Sequence, residues 1–305
     1  CSLGACRWFD LGPLGSIQPA EFLKFGLLVF CAGFIAHRAQ AGLVNDFYKT
    51  LVPLGVIIGI VAIFVIGIQE DMGTGIAILA IVAAMMTVAG VRIRVGAVLV
   101  AAALLIGALM IVVAPHRIER VTAFLQGDNA SVTDASAYHI VHAKIAIGSG
   151  GLTGVGIGNS VQATGYLPEA INDSVFAIMG ETFGFVGLVV VLVLFSALLL
   201  SLLKVAERLP GLPEKLLVAG VFGWLASHVI LNVAAMTGVF PLTGITLPLL
   251  SFGGTSMVFI AGALGLAFQL SSYTVHHSTK EGERYEDSRS RRGLGRPRYA
   301  SRSRM

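Results

Sequence analysis

Seven stretches of this chain are apolar for long enough to matter more than anything else in it: about 20–36, 51–68, 73–90, 95–113, 175–203, 215–238 and 247–272. A lipid hydrocarbon core of roughly 30 Å takes about 20 helical residues to cross. Several of the runs fall slightly short of that. A backbone inside lipid has no water to bond, however, and uninterrupted apolar runs of this length satisfy their own N–H and C=O groups as helices. The expected fold is therefore all-α, a polytopic transmembrane helical bundle. Composition agrees, with 55% of 305 residues hydrophobic, 12% charged and a mean hydropathy of +0.84, far from ordinary soluble domains.

Lys and Arg placement orients the bundle. Arg38 and Lys49 lie in the first connection, Arg92 and Arg94 in the third, Lys204, Arg208 and Lys215 in the fifth, and nine more follow in the C-terminal tail. These connections are expected to be cytoplasmic. The intervening ones, "QED" at 69–71, the segment 114–174 and "GVFPLTGIT" at 238–246, are expected to face outward, although the long one carries Arg117, Arg120 and Lys144. Residues 1–272 then form the transmembrane domain. Residues 273–305 read as a disordered basic tail, too poor in large apolar groups to fold alone and suited to anionic lipid. Tethered to a membrane bundle, it gives no reason to expect nucleic acid as a partner. The chain opens on Cys1 without a signal-peptide pattern, which reads as a fragment starting inside a loop. Cys1, Cys6 and Cys31 have no metal-ligand spacing.

The outward loop 114–174 is too long for a mere connector. Its "AYHIVHAKIAI" (137–147) reads as an amphipathic piece, followed by the glycine-rich "GSGGLTGVGIGNS" (148–160). The glycines match no nucleotide-binding pattern. They allow a flexible or tightly turning backbone, or exposed amides that cradle a diphosphate.

Charges at bilayer depth are costly, so those present are informative. Glu21 and Lys24, three apart, share a helix face and form either an interfacial ion pair or the lining of a polar cleft. His228 and Asn232, four apart, make a second polar patch that interhelical hydrogen bonding explains. In "NDS" (172–174), Asn172, Asp173 or Ser174 suits the N-cap of the following helix. Glu169 is a loop acid without an evident role. Glu181 lies within the apolar run and needs a partner.

Five blocks then carry a resemblance: "CRWFDLGPLGSIQPAEFLK" (6–24), "QEDMGTGIAIL" (69–79), "HRIERVTAF" (116–124), "IAIGSGGLTGVGIGNSVQATGYLPEAINDSVFAIMGETFGFVG" (145–187) and "NVAAMTGVFPLTGITLPLLSFGGTS" (232–256). Together, and in this order, they resemble the SEDS family of FtsW, RodA and SpoVE. "RVTAF" and "GIGNSVQ" look more like FtsW than RodA. The resemblance implies a peptidoglycan glycosyltransferase of ten transmembrane helices, of which this chain carries the last seven, polymerising lipid II on the outer face of the bacterial plasma membrane during cell division. It implies a class B penicillin-binding protein, an FtsI-like transpeptidase, as partner, alongside other divisome proteins. Asp173 matches the family's essential aspartate, as general base or metal ligand. Arg7, Trp8, Glu21, Lys24, Arg117 and Arg120 match its substrate-binding positions. Asp71, Glu169, Glu181, Asn232, Ser251, Gly253 and Gly254 fall at supporting ones. A divalent cation, Mg2+ or Mn2+, is the candidate cofactor.

The sequence departs from the family pattern at Glu70, His139, His142, Asn172, Ser174, Thr182 and Phe252, none of which removes the candidate base. A lipid II flippase and an inactive division scaffold are the alternative readings. A flippase predicts polar residues spread through the membrane, whereas the candidate acids and arginines here cluster on or near the outward side.

Overall fold

The structure is a computed structural model that describes residues 9–10, 16–69, 71–92, 95–96, 101, 122, 124 and 135–291. Within these, Phe9–Asp10 (β1) and Ser16–Ile17 (β2) form a minimal antiparallel pair, Phe9 opposite Ile17. Seven helices follow: α1 (Pro19–Gln40), α2 (Phe47–Gly67), α3 (Met72–Val88), α4 (Ala135–Ser149), α5 (Val175–Arg208), α6 (Leu212–Met236) and α7 (Gly254–Arg291). Five of them, α1, α2, α5, α6 and the first part of α7, are long and apolar enough to cross a membrane, and α3 is a shorter apolar helix. Six of the seven expected runs thus contain a helix. The run 95–113 lies outside the described residues apart from positions 95, 96 and 101.

α6 is the centre of the bundle: 72% of its most apolar stretch is buried inside the protein, against 22% for α2, α5 and α7. It packs chiefly on α3, α5 and α1. Small residues allow the approach, since a methyl added at Gly223 would lie 2.5 Å from the Ala80 carbonyl oxygen. Around this contact Leu28, Ile35, Leu54, Ile81, Met85, Leu216, Trp224 and Leu225 form the main core.

The connections gather at two ends. At one, the backbone N–H of Arg92 donates to Asn45 Oδ1 (2.8 Å), joining the α1–α2 turn to the segment after α3. At the other, Gln18 Nε2 donates to Asp71 Oδ2 (3.3 Å) and the Phe252 N–H donates to Ile171 O (2.8 Å). The Gln18 N–H also donates to Thr255 Oγ1 at the start of α7 (3.4 Å), so segments before α1, before α3, before α5 and before α7 meet, as alternating connections require.

Three boundaries differ from the sequence expectation. The apolar run 247–272 does not start as helix: residues 239–253 form turns and irregular backbone, and α7 begins at Gly254. Side chains of α6 satisfy carbonyls of this segment, which is how irregular backbone is tolerated at membrane depth. Past position 273, where composition leads one to expect disorder, the helix continues to Arg291. Extending a formed helix costs far less than nucleating one. Finally, α5 is broken at Gly184 (φ 68°, ψ −168°). Residues 185–208, roughly 36 Å at 1.5 Å per residue, are long enough to cross a membrane by themselves, and Glu181 stands on the helical turns before the break.

Candidate functional site

Asp173 sits in a tight turn just ahead of α5. Glu169 enters that turn with φ 50°. Its carbonyl accepts from the N–H groups of Asn172 (2.9 Å) and Ser174 (3.2 Å), and its carboxylate takes Asn172 Nδ2 at 2.5 Å. The N-cap position falls to Ser174, which makes no side-chain capping bond. The Ser174 hydroxyl, fully buried, donates instead to Pro168 O (2.8 Å). With that proton committed, His139 Nε2 of α4, 2.6 Å away, is the donor to Ser174 Oγ. Of the three residues that suited the N-cap, Ser174 holds the position, and the carboxylate of Asp173, a residue 7% exposed, is not spent on the helix end. Its backbone carbonyl accepts from Asn232 Nδ2 of α6 (2.7 Å).

Glu181 has the partners that the sequence called for. Its carboxylate accepts from Ser160 Oγ (2.5 Å) and from the N–H groups of Val161 (3.0 Å) and Gln162 (3.2 Å). Gln162 Oε1 in turn meets His142 Nδ1 (2.8 Å), whose ring lies between Tyr138 and Tyr166. The glycine-rich segment fills the break in α5. Val155 and Gly156 donate to the carbonyls of Glu181 and Thr182, while Phe185 and Val186 donate to those of Gly151 and Leu152. A side chain at Gly154 would strike the Thr182 carbonyl oxygen. Two amides and two carbonyls of the segment are thus engaged with α5, a tightly turning backbone with a structural role.

Glu21 and Lys24 do pair, at 2.8 Å, and both are buried. Lys24 Nζ also lies 3.2 Å from His228 Nε2 and 5.1 Å from the centre of the Trp224 ring, so protein groups surround it. Asp71 caps α3 through Thr74 N–H (2.9 Å) and Thr74 Oγ1 (2.8 Å). Ser251 Oγ accepts from Leu247 N–H (2.8 Å), Gly253 accepts from the Met257 N–H, and Gly254 starts α7. Arg7, Trp8, Arg117 and Arg120 lie outside the described residues. Among the described residues, no three His, Cys, Asp or Glu side chains converge to hold a metal ion.

Sequence reasoning did not assign site roles to His139, Ser174, Gln162 or His228. For His139 and Ser174 the signal was their departure from the family pattern. For His228 it was the four-residue spacing to Asn232.

A family model described as cell cycle protein, for FtsW, RodA and SpoVE, matches residues 1–276. Stage V sporulation protein E of Bacillus subtilis is 35% identical over 274 residues, 89% of this chain and 72% of that protein. A probable peptidoglycan glycosyltransferase FtsW of Aliivibrio salmonicida is 35% identical over 271 residues, 88% of this chain and 66% of that protein. Among solved structures, one of a peptidoglycan synthase complex that coordinates polymerization and crosslinking superimposes with a TM-score of 0.67 at 28% identity, covering 89% of this chain and 74% of that one. The rod shape determining protein RodA of Thermus thermophilus gives 0.58 at 27%, covering 88% and 70%.

Proposed function

This chain belongs to the family of FtsW, RodA and SpoVE, and from that premise we propose that it is a multi-pass membrane peptidoglycan glycosyltransferase that polymerises lipid II for septal wall synthesis. The end of the bundle that carries Asp173 faces outward and the C-terminal tail lies in the cytoplasm, as the Lys and Arg placement supports. A class B penicillin-binding protein is the partner.

In the proposed reaction the C4 hydroxyl of the acceptor N-acetylglucosamine attacks the anomeric carbon of the donor. The bond from that carbon to the diphosphate oxygen breaks, configuration inverts, and undecaprenyl diphosphate leaves. Asp173 takes the hydroxyl proton. The observation that carries this is the turn itself: a buried carboxylate relieved of helix capping, on a backbone held by Asn232 and by the Ser174 bond to Pro168. A positioned carboxylate is suited to such proton transfer. Arg117 and Arg120 are proposed to meet the diphosphate, guanidinium groups being well matched to phosphate oxygens. A divalent cation fits here as one shared with substrate, because a single carboxylate with phosphate oxygens is how Mg2+ is commonly held. Bound by Asp173 in that way, it would neutralise charge gathering on the leaving diphosphate.

The test is Asp173→Asn in the full-length protein, reconstituted with its penicillin-binding partner and lipid II. Polymer formation is expected to fall by about 10²- to 10⁴-fold while the complex still assembles. Wild-type polymer yield from this variant would overturn both roles given to Asp173.

A further inference from the structure

The sequence marks His228 and Asn232 as a polar patch, with Asn232 at a supporting position by family resemblance, and in the structure they grip two consecutive carbonyls of the irregular segment before α7. His228 Nδ1 meets Thr246 O at 3.3 Å, and Asn232 Nδ2 donates to Ile245 O at 2.7 Å. The same Asn232 nitrogen donates its other hydrogen to the carbonyl of Asp173, also at 2.7 Å. Both side chains are almost completely buried.

The chemistry of the partners fixes both orientations. Around Asn232 the two neighbours are carbonyl oxygens, which accept only, so a flipped amide would set oxygen against oxygen. Oδ1 is left buried and without a hydrogen-bond partner among the described residues, so the amide is held by its donors alone. His228 Nε2 faces Lys24 Nζ (3.2 Å) and Trp224 Nε1 (3.1 Å). Both of these groups only donate, so Nε2 carries the lone pair and the ring proton sits on Nδ1, directed at Thr246 O. A continuous line of polar contacts results, from Glu21 and Lys24 through His228 to Thr246, along one peptide to Ile245, and through Asn232 to Asp173.

We propose that His228 and Asn232 are positioning residues for Asp173, setting its backbone from the centre of the bundle and linking it to the buried Glu21–Lys24 pair. The inference rests on the reading of Asp173 as the base. It gives Lys24 a route to the reaction that needs no contact with substrate. Neither α6 side chain touches the reacting atoms. Each fixes where the carboxylate stands, and small misplacements of a reacting group are costly in rate.

The two ends of the imidazole can be separated. Asparagine at 228 offers an amide donor near the position of Nδ1, whereas glutamine places its amide near Nε2 and leaves Thr246 O without its donor. Asn232→Asp keeps shape and removes both donors. The experiment measures kcat and KM for lipid II, with thermal melting, in the full-length protein reconstituted with its penicillin-binding partner. Asn232→Asp and His228→Gln are expected to lower kcat about 100-fold, and His228→Asn about tenfold, with KM within about threefold of wild type. If Asn232→Asp does not fold, Asn232→Ser, with one short donor, is expected to show the same loss in kcat. Equal losses in the two His228 variants, or losses confined to melting temperature, would mean a merely structural role and overturn the inference. Wild-type kcat in Asn232→Asp and His228→Gln beside an inactive Asp173→Asn would remove the positioning role and leave the base in place. An active Asp173→Asn would remove both.

Discussion

Glu181 shows how little of a buried acid's purpose its own position reveals. An ionisable group in an apolar run announces that it needs a partner, and the sequence says no more, because two of the three partners are main-chain amides about 20 residues earlier, which have no residue-type signature. Asp173 illustrates the reverse case. Its place before a helix made it one of three N-cap candidates, and only the three-dimensional turn shows Ser174 at that position, its hydroxyl bonded to Pro168 and no side chain capping the helix end. Glu181→Gln replaces one of two acceptor oxygens with a donor nitrogen and so sets a donor against part of the set formed by Ser160, Val161 and Gln162. With Glu181 only 2% exposed, we expect a loss of about 1–3 kcal/mol in stability, read by thermal unfolding. A melting temperature unchanged from wild type would show that the carboxylate does not hold the loop.

At the scale of elements, the apolar runs were legible because lipid leaves the backbone few options. The breaks within them were not. Composition cannot separate a helix from irregular backbone that α6 side chains satisfy, hence the late start of α7. Nor could it show that α5 parts at Gly184 to admit the glycine-rich segment. Gly184 has φ 68°, and a side chain there would come within 2.5 Å of the Leu152 carbonyl oxygen. Gly184→Ala should therefore destabilise by roughly 1–3 kcal/mol and expose residues 151–165 to limited proteolysis. Gly148→Ala, at a helical glycine with open space around it, is the control and should cut at the wild-type rate. Equal protection in both variants would show that the segment does not depend on the break.

Across the whole molecule, two groups of connections meet at opposite ends, and the proposal turns the Asp173 end outward. In a cysteine-free background, Ile157→Cys, at a position 83% exposed, should react with a membrane-impermeant maleimide on intact cells. Ala41→Cys, in the exposed turn after α1, should react only after permeabilisation. The opposite pattern would invert the bundle and remove Asp173 from an external substrate. The central place of α6 also sets a schedule for synthesis. Lys24 and His228 are 204 residues apart, which at about 5–20 residues per second means roughly 10–40 s of translation between them. Throughout that interval α1 has been made but its histidine partner and the helix that completes its packing have not. A nascent chain stalled ahead of Leu212 therefore holds the Glu21–Lys24 pair without its histidine contact and an uncovered face on α3, and the arrival of α6 is what covers both.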